Sequence, residues 1–234
     1  MLYHTKLQYY VATHEYINIS FFLNTTKPHI KYLAVAGNIG AGKTTLTEKL
    51  AKDFGWKPQY ESAGSNPYLS DFYNDMHRWA FNLQIYFLNH RYKQITRILA
   101  GEEIVIQDRT IFEDAFIFAP NLHEMGLMSS RDFDTYFTLF KSMAENIKPP
   151  DLLIYLKADI PTLVSHIHDR GRDYEGNMSL DYLKKLNQRY NDWIEGYKDG
   201  KLLIVDADKL DFKNKPEDYS QIIERINAEL NGLF

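Results

Sequence analysis

Residues 37–45 read GNIGAGKTT, an order suited to holding phosphate oxygens. Glycines let the backbone wrap an anion and turn successive N–H groups inward, at the start of a helix whose dipole favours negative charge. Gly37, Gly42, Lys43 and Thr44 fit G-x-x-x-x-G-K-[ST], and the apolar run Leu33–Ala34–Val35–Ala36 precedes them. In such a loop the lysine reaches the β- and γ-phosphates and the threonine hydroxyl can ligate Mg²⁺. The stretch Gly37, Asn38, Ile39, Gly40, Ala41, Gly42, Lys43, Thr44 and Thr45 is therefore read as a cradle for ATP.

The receiving group needs different chemistry. Gln59–Tyr60 leads into Glu61, at the carboxyl end of an expected strand beside the cradle. A carboxylate there could accept the proton of an alcohol as its oxygen attacks phosphorus. Taken alone, Glu61 reads as a solvated loop residue. In the run RWAFNLQIYFLNHRYKQI, Gln84 and Arg91 lie seven apart, on one helical face with Leu88 between them. Polar groups set among Trp79, Phe81, Tyr86 and Phe87 suit a flat heteroaromatic ring. An amphipathic helix with two boundary polar residues is the plainer reading. Next, Asp108 closes an apolar run and could bind Mg²⁺ directly or through water, while Arg109 could hold Asp108 and Glu61 or touch phosphate. Last, Arg170–Gly171–Arg172–Asp173–Tyr174–Glu175–Gly176 sets two arginines around a glycine. That looks like a lid closing on a transferring phosphate, with a solvated charge run as the alternative.

These groups need a scaffold. The pattern predicts strands at about 30–36 and 57–61, at 103–107 and 152–157, and a fifth at 202–205. Helices are expected over about 42–54, 69–100 and 110–147, from 160 and from about 179, and over 216–230, the last opened by Pro216–Glu217–Asp218. Short apolar strands alternating with helices imply an α/β fold: a five-stranded parallel sheet with helices on both faces. Ligands in such sheets sit beyond the carboxyl ends of the strands, where most of these residues fall.

The 234 residues are 44% hydrophobic, ample for one large core, so residues 29–234 are expected to form a single domain. Residues 1–28 have no clear period and are expected to be a loose extension or an overlong gene start. A net charge of −4 gives no general reason to expect nucleic acid or an anionic membrane as partner. The absence of cysteine excludes disulfides and thiolate metal sites. His166 and His168 lie two apart in an expected helix and read as ordinary surface residues. Phe21–Phe22–Leu23 is too short for a signal core or a membrane span, so the cytoplasm is the expected location.

Taken together, GNIGAGKTT, the Glu61 segment through NPYLSDFY, RWAFNLQIYFLNHR, QDRTIFEDAFIFAPNLH, RGRDYE and DADKLDF resemble the deoxynucleoside kinases, and most of all bacterial deoxyadenosine kinase-like members. The similarity runs from about His29 to the C-terminus. It implies a P-loop kinase fold with a lid segment and ATP-dependent 5′-phosphorylation of a deoxynucleoside. By the same resemblance, Glu61 is the general base, Asp108 a magnesium-side carboxylate beside the Thr44 hydroxyl, and Arg109 an organiser of the site. Tyr73 and Glu175 hold the sugar 3′-hydroxyl, with Tyr73 crowding the 2′ carbon. Gln84, Arg91 and Asp114 read the base; Arg170 and Arg172 are the lid arginines that meet ATP. Asp206 and Asp208 lie in the loop around the adenine of ATP, and the family is usually homodimeric.

Two departures stand out: His166 occupies a position where many relatives carry a further arginine, and Ser62–Ala63 replace proline and a larger apolar residue. A carboxylate with a guanidinium suits adenine, cytosine or guanine, whereas thymine has no exocyclic amine. Similarity to bacterial relatives implies deoxyadenosine. A nucleoside monophosphate kinase would share the cradle, but its acceptor needs cations rather than a carboxylate base. A non-catalytic nucleotide switch would need a water-orienting residue and switch segments, of which the sequence carries no signature.

Overall fold

Why the cradle can form is seen first in β1, Tyr32–Gly37, whose six residues are all buried. Tyr32, Ala34 and Ala36 join one core, while Leu33 and Val35 join the other. Side chains alternate across a strand, so a continuous apolar run is what a strand covered on both faces requires. The computed structural model describes residues 30–60, 66–172, 175 and 178–231. The expected N-terminal extension lies outside them, as does Glu61.

After β1 the chain forms α1, Lys43–Phe54, then β2, Lys57–Gln59, α2, Leu69–Asn74, and α3, Met76–Ala100. β3, Val105–Asp108, leads into α4, Ile111–Glu113, which passes through one wide π turn, Asp114–Phe118, into α5, Ala119–Glu124. There follow α6, Ser130–Ala144, β4, Leu152–Lys157, α7, Ile160–Arg170, α8, Leu180–Glu195, β5, Lys201–Asp206, and α9, Pro216–Asn231. The five strands are all parallel, in the order β2-β3-β1-β4-β5, so β1 is the central strand. On one face, the core of Tyr32, Tyr155, Leu88, Tyr136 and Tyr190 joins β1 and β4 to α3, α6 and α8. On the other, Leu46, Leu50, Leu163, Ile222 and Ile226 bring α1, α7 and α9 onto the sheet. Among the described residues no helix is long and apolar enough to cross a membrane.

Three boundaries differ from the sequence pattern. The helical stretch expected over 69–100 breaks at Asp75, whose side chain accepts from the Arg78 N–H at 3.0 Å and starts a second helix. β2 ends at Gln59, short of the expected 61, because its register on β3 runs only from Lys57 to Gln59. β3 runs from Val105 to Asp108, so Asp108 is the last strand residue rather than the first after it.

Candidate active site

The loop after β1 bends through backbone that only glycine adopts at ease. Gly40 has φ +86°, and a Cβ there would sit 2.6 Å from the Leu163 carbonyl of α7. Gly42 has φ +91°, and a Cβ would meet the Phe212 ring at 3.0 Å. Within this loop the Lys43 ammonium donates to the Asn38 carbonyl at 2.9 Å. Asn38 in turn donates through Nδ2 to the Leu183 carbonyl and to Asn187 Oδ1, fastening the loop to α8.

At the end of β3, the Thr44 hydroxyl donates to Asp108 Oδ2 at 2.5 Å. Asp108 Oδ1 is buried without a hydrogen-bond partner among the described residues. A hydroxyl and a carboxylate converging at the helix N-terminus are hard oxygen donors of the kind Mg²⁺ takes, so these two residues fit that ion. Among the described residues no cluster of three or more acidic or histidine side chains gathers as a metal cage. Mg²⁺ needs no such cage where phosphates and water complete its shell.

A cleft of about 840 Å³ runs from this loop to the far wall formed by Gln84, Phe87, Asp114 and Phe118. Ile39, Gly40, Gly42, Lys43, Thr44, Thr45, Tyr73, Asp108, Arg109, Arg170, Arg172, Glu175 and Asp208 also line it. Gly37, Asn38, Ala41, Arg91 and Asp206 are not among its lining residues. Arg91 is fully buried and donates through Nε to Asp114 Oδ2 and through NH1 to the Arg109 carbonyl at 3.2 Å. It therefore meets the cleft through Asp114. Spacing put Gln84 and Arg91 on one face, but it could not say which of the two would turn to the cavity.

Arg109 is the one described residue other than glycine with positive φ, at 70°. That conformation is strained for a side chain with a Cβ and turns the guanidinium into the cleft. There it lies over the Phe118 ring, 4.4 Å from its centroid, and donates to the Tyr190 hydroxyl at 2.8 Å. The Tyr190 hydroxyl donates to Glu113 Oε1 at 2.8 Å, which also accepts from the Gly37 N–H at 3.3 Å. Oε2 of Glu113 accepts from the Thr110 N–H at 2.7 Å. Burial above all holds the Tyr190 phenol well above its usual range, with Arg109 opposing and Glu113 reinforcing the shift. Tyr190 is thus a neutral hydroxyl that gives its proton to one partner and its lone pair to the other.

Arg170 closes on Glu175 with hydrogen bonds of 2.7 and 2.8 Å, and Arg172 lies 3.6 Å from the same carboxylate. Asp206 pairs with Lys209 at 2.8 Å, a hydrogen bond that holds its carboxyl below the usual aspartate range. Asp208 accepts from the Asp159 N–H at 2.9 Å. The loop beyond is anchored by Lys49, which donates to the Phe212 carbonyl at 2.6 Å.

The deoxynucleoside kinase family model matches residues 33–231. The chain belongs to the deoxynucleoside kinase family. The deoxyadenosine/deoxycytidine kinase of Bacillus subtilis is 38% identical over 206 residues, spanning 87% of this chain and 95% of that one. The deoxyguanosine kinase of Lactobacillus johnsonii is 38% identical over 211 residues, or 86% of this chain and 93% of its own. Among solved structures, the deoxyadenosine kinase from M. mycoides with bound dATP superposes with a TM-score of 0.75 at 29% identity, covering 84% of this chain and 99% of that one.

In this deoxynucleoside kinase His166 and His168 are both exposed, as expected; His166 in addition places Nδ1 2.8 Å from the Gly40 carbonyl, and its ring lines the cleft. A carbonyl only accepts, so Nδ1 carries the hydrogen in this contact. Two further residues, Glu113 and Tyr190, were not singled out by sequence. Thr110-x-x-Glu113 is a capping box, a local signal that marks Glu113 as a helix start. Nothing local marks Tyr190, which reaches Glu113 from 77 residues away.

Proposed function

We propose that this kinase transfers the γ-phosphoryl group of ATP to the 5′-hydroxyl of a deoxynucleoside, deoxyadenosine before deoxyguanosine or deoxycytidine. The observation that carries the preference is Gln84, a buried amide on the cleft wall whose Oε1 has no hydrogen-bond partner among the described residues. An amide offers an acceptor beside a donor, the complement of adenine's amino group and adjacent ring nitrogen. Guanine's O6 and N7 are two acceptors, which a guanidinium facing the base would answer. Arg91 faces Asp114 instead and lends that carboxylate a fixed orientation.

In this mechanism Lys43, Arg170 and Arg172 meet the charge that spreads over the transferring oxygens. Arg170 and Arg172 leave Glu175 for the phosphates, which frees that carboxylate to accept from the sugar 3′-hydroxyl beside Tyr73. Arg109 organises the site, and Asp208 belongs to the loop around the adenine of ATP, with Asp206 stiffening that loop from behind. Thr44 and Asp108 hold Mg²⁺, which, when bound, neutralises charge on the phosphates. Glu61 takes the hydroxyl proton; the Tyr60 carbonyl just before it accepts from Gln94 Nε2 at 3.1 Å. The protein is further proposed to act in the cytoplasm as a homodimer packed through α3 and α6, in keeping with Leu139 of α6 being 39% exposed.

The test is a panel of the four deoxynucleosides, the ribonucleosides and the monophosphates, each followed by ADP formation with ATP as donor. Deoxyadenosine is expected to give the highest kcat/KM. Faster turnover of any monophosphate would overturn the assignment of the acceptor, and faster turnover of deoxyguanosine or deoxycytidine the assignment of the base.

A further inference from the structure

Arg109 is fixed at its backbone by Arg91 and at its side chain by a residue from a distant helix, and the second contact has a functional consequence. Tyr190 is fully buried on α8, the helix that also fastens the phosphate loop through Asn38 and Asn187. Its ring stacks on Tyr155 of β4, with centroids 5.9 Å apart, and meets Phe118 edge-on. The aromatic part is therefore held by packing alone. The hydroxyl does something else: it stands between the Arg109 guanidinium and the Glu113 carboxylate, 2.8 Å from each. Measured directly, the two charged groups are 4.0 Å apart, beyond a hydrogen bond.

We propose that the Tyr190 hydroxyl is a positioning group for phosphoryl transfer, setting the Arg109 guanidinium in the cleft while Glu113, its other partner, holds the first N–H of the phosphate loop. The inference rests on the phosphoryl-transfer reading above and adds to it a residue on neither the cradle nor the lid. A phenol suits the place because burial keeps it neutral, so it can accept from a cation and donate to an anion at once. Arg109 sits in a left-handed backbone conformation with its side chain stacked on Phe118, and the hydroxyl adds a directed contact to the fork. Removing it takes away that contact and loosens the guanidinium while leaving the ring in its packing. Displacing a charged group by about 1 Å lowers turnover by up to about 100-fold.

The experiment is Tyr190→Phe, with Tyr155→Phe as control. Among the described residues the Tyr155 hydroxyl donates to Asn191 Oδ1, at 3.5 Å, and not to Glu113. For Tyr190→Phe we expect kcat to fall about 10- to 100-fold with KM for ATP changed less than about twofold. Tyr155→Phe should leave both within about twofold. Thermal unfolding followed by circular dichroism separates a folding defect from a positioning one, since kcat is measured well below the variant's midpoint. The same change made in Arg109→Lys protein should have little further effect, because the group it positions is gone. A Tyr190→Phe kcat within twofold of the parent overturns the proposal, and so does a full additional loss in the Arg109→Lys background. If the parent phosphorylates no deoxynucleoside, it is the proposed reaction that fails, a result distinct from either.

Discussion

Glu113 is fully buried and still accepts hydrogen bonds from the start of the phosphate loop, from its own helix start and from α8. A buried carboxylate persists only when its oxygens are satisfied, and here each one is. Its neighbour in function, Glu61, is the proposed base, and its replacement is the direct test at this scale. Glu61→Gln is expected to lower turnover roughly 10²- to 10⁴-fold with ATP affinity changed little; an unimpaired rate would remove Glu61 from the mechanism. Residues with a local signature were legible in the sequence. Lys43, Thr44 and Asp108 carry theirs in the chain, next to glycines or at a strand end, and they do meet. Arg91, His166 and Tyr190 were not, because what each touches is decided by a distant segment: Asp114 on the π turn, Gly40 in the loop, Arg109 after β3.

At the scale of elements, the alternation of strand and helix was readable because both periods are strong: β1 is buried on both sides, and α8 is buried only along Tyr182, Leu183, Leu186, Tyr190 and Ile194. The wide turn at Asp114–Phe118 was not readable, since one extra residue per turn leaves no mark in an apolar pattern, yet it lies where Asp114 faces the cleft. The strands are also fastened at their entry ends. Asp151 Oδ2, just before β4, accepts from the Lys31 and Tyr32 N–H groups at 2.9 Å, and its other oxygen accepts from Lys148 at 2.9 Å. Burial works to raise this carboxyl, but these hydrogen bonds outweigh it and hold the group below the usual aspartate range. A depressed folded-state value means stability that is present at neutral pH and lost as the pH falls through that value. Asp151→Asn is therefore expected to cost about 0.5–1 kcal/mol at neutral pH, a figure reduced for partial exposure. In urea unfolding the gap between parent and variant should close as the pH falls below the usual aspartate range; a gap that holds constant there would remove the charge from the account.

For the molecule as a whole, the proposed pairing of two chains has a plain measure. Sedimentation equilibrium at micromolar protein should return twice the 27.5 kDa of one chain, and a monomer mass at that concentration would sink it. The strand order carries a consequence of another kind. β1 emerges first from the ribosome of all the described strands, yet its hydrogen-bonding neighbours are β3, beginning at Val105, and β4, beginning at Leu152. One edge of this central ribbon must wait for β3, and the other, for β4, stays open until about two-thirds of the polypeptide has been synthesised. The segment that leads into the phosphate loop thus emerges ahead of every other described strand and gains its second neighbour late, so its apolar residues need shelter from the rest of the growing chain or from chaperones throughout that interval.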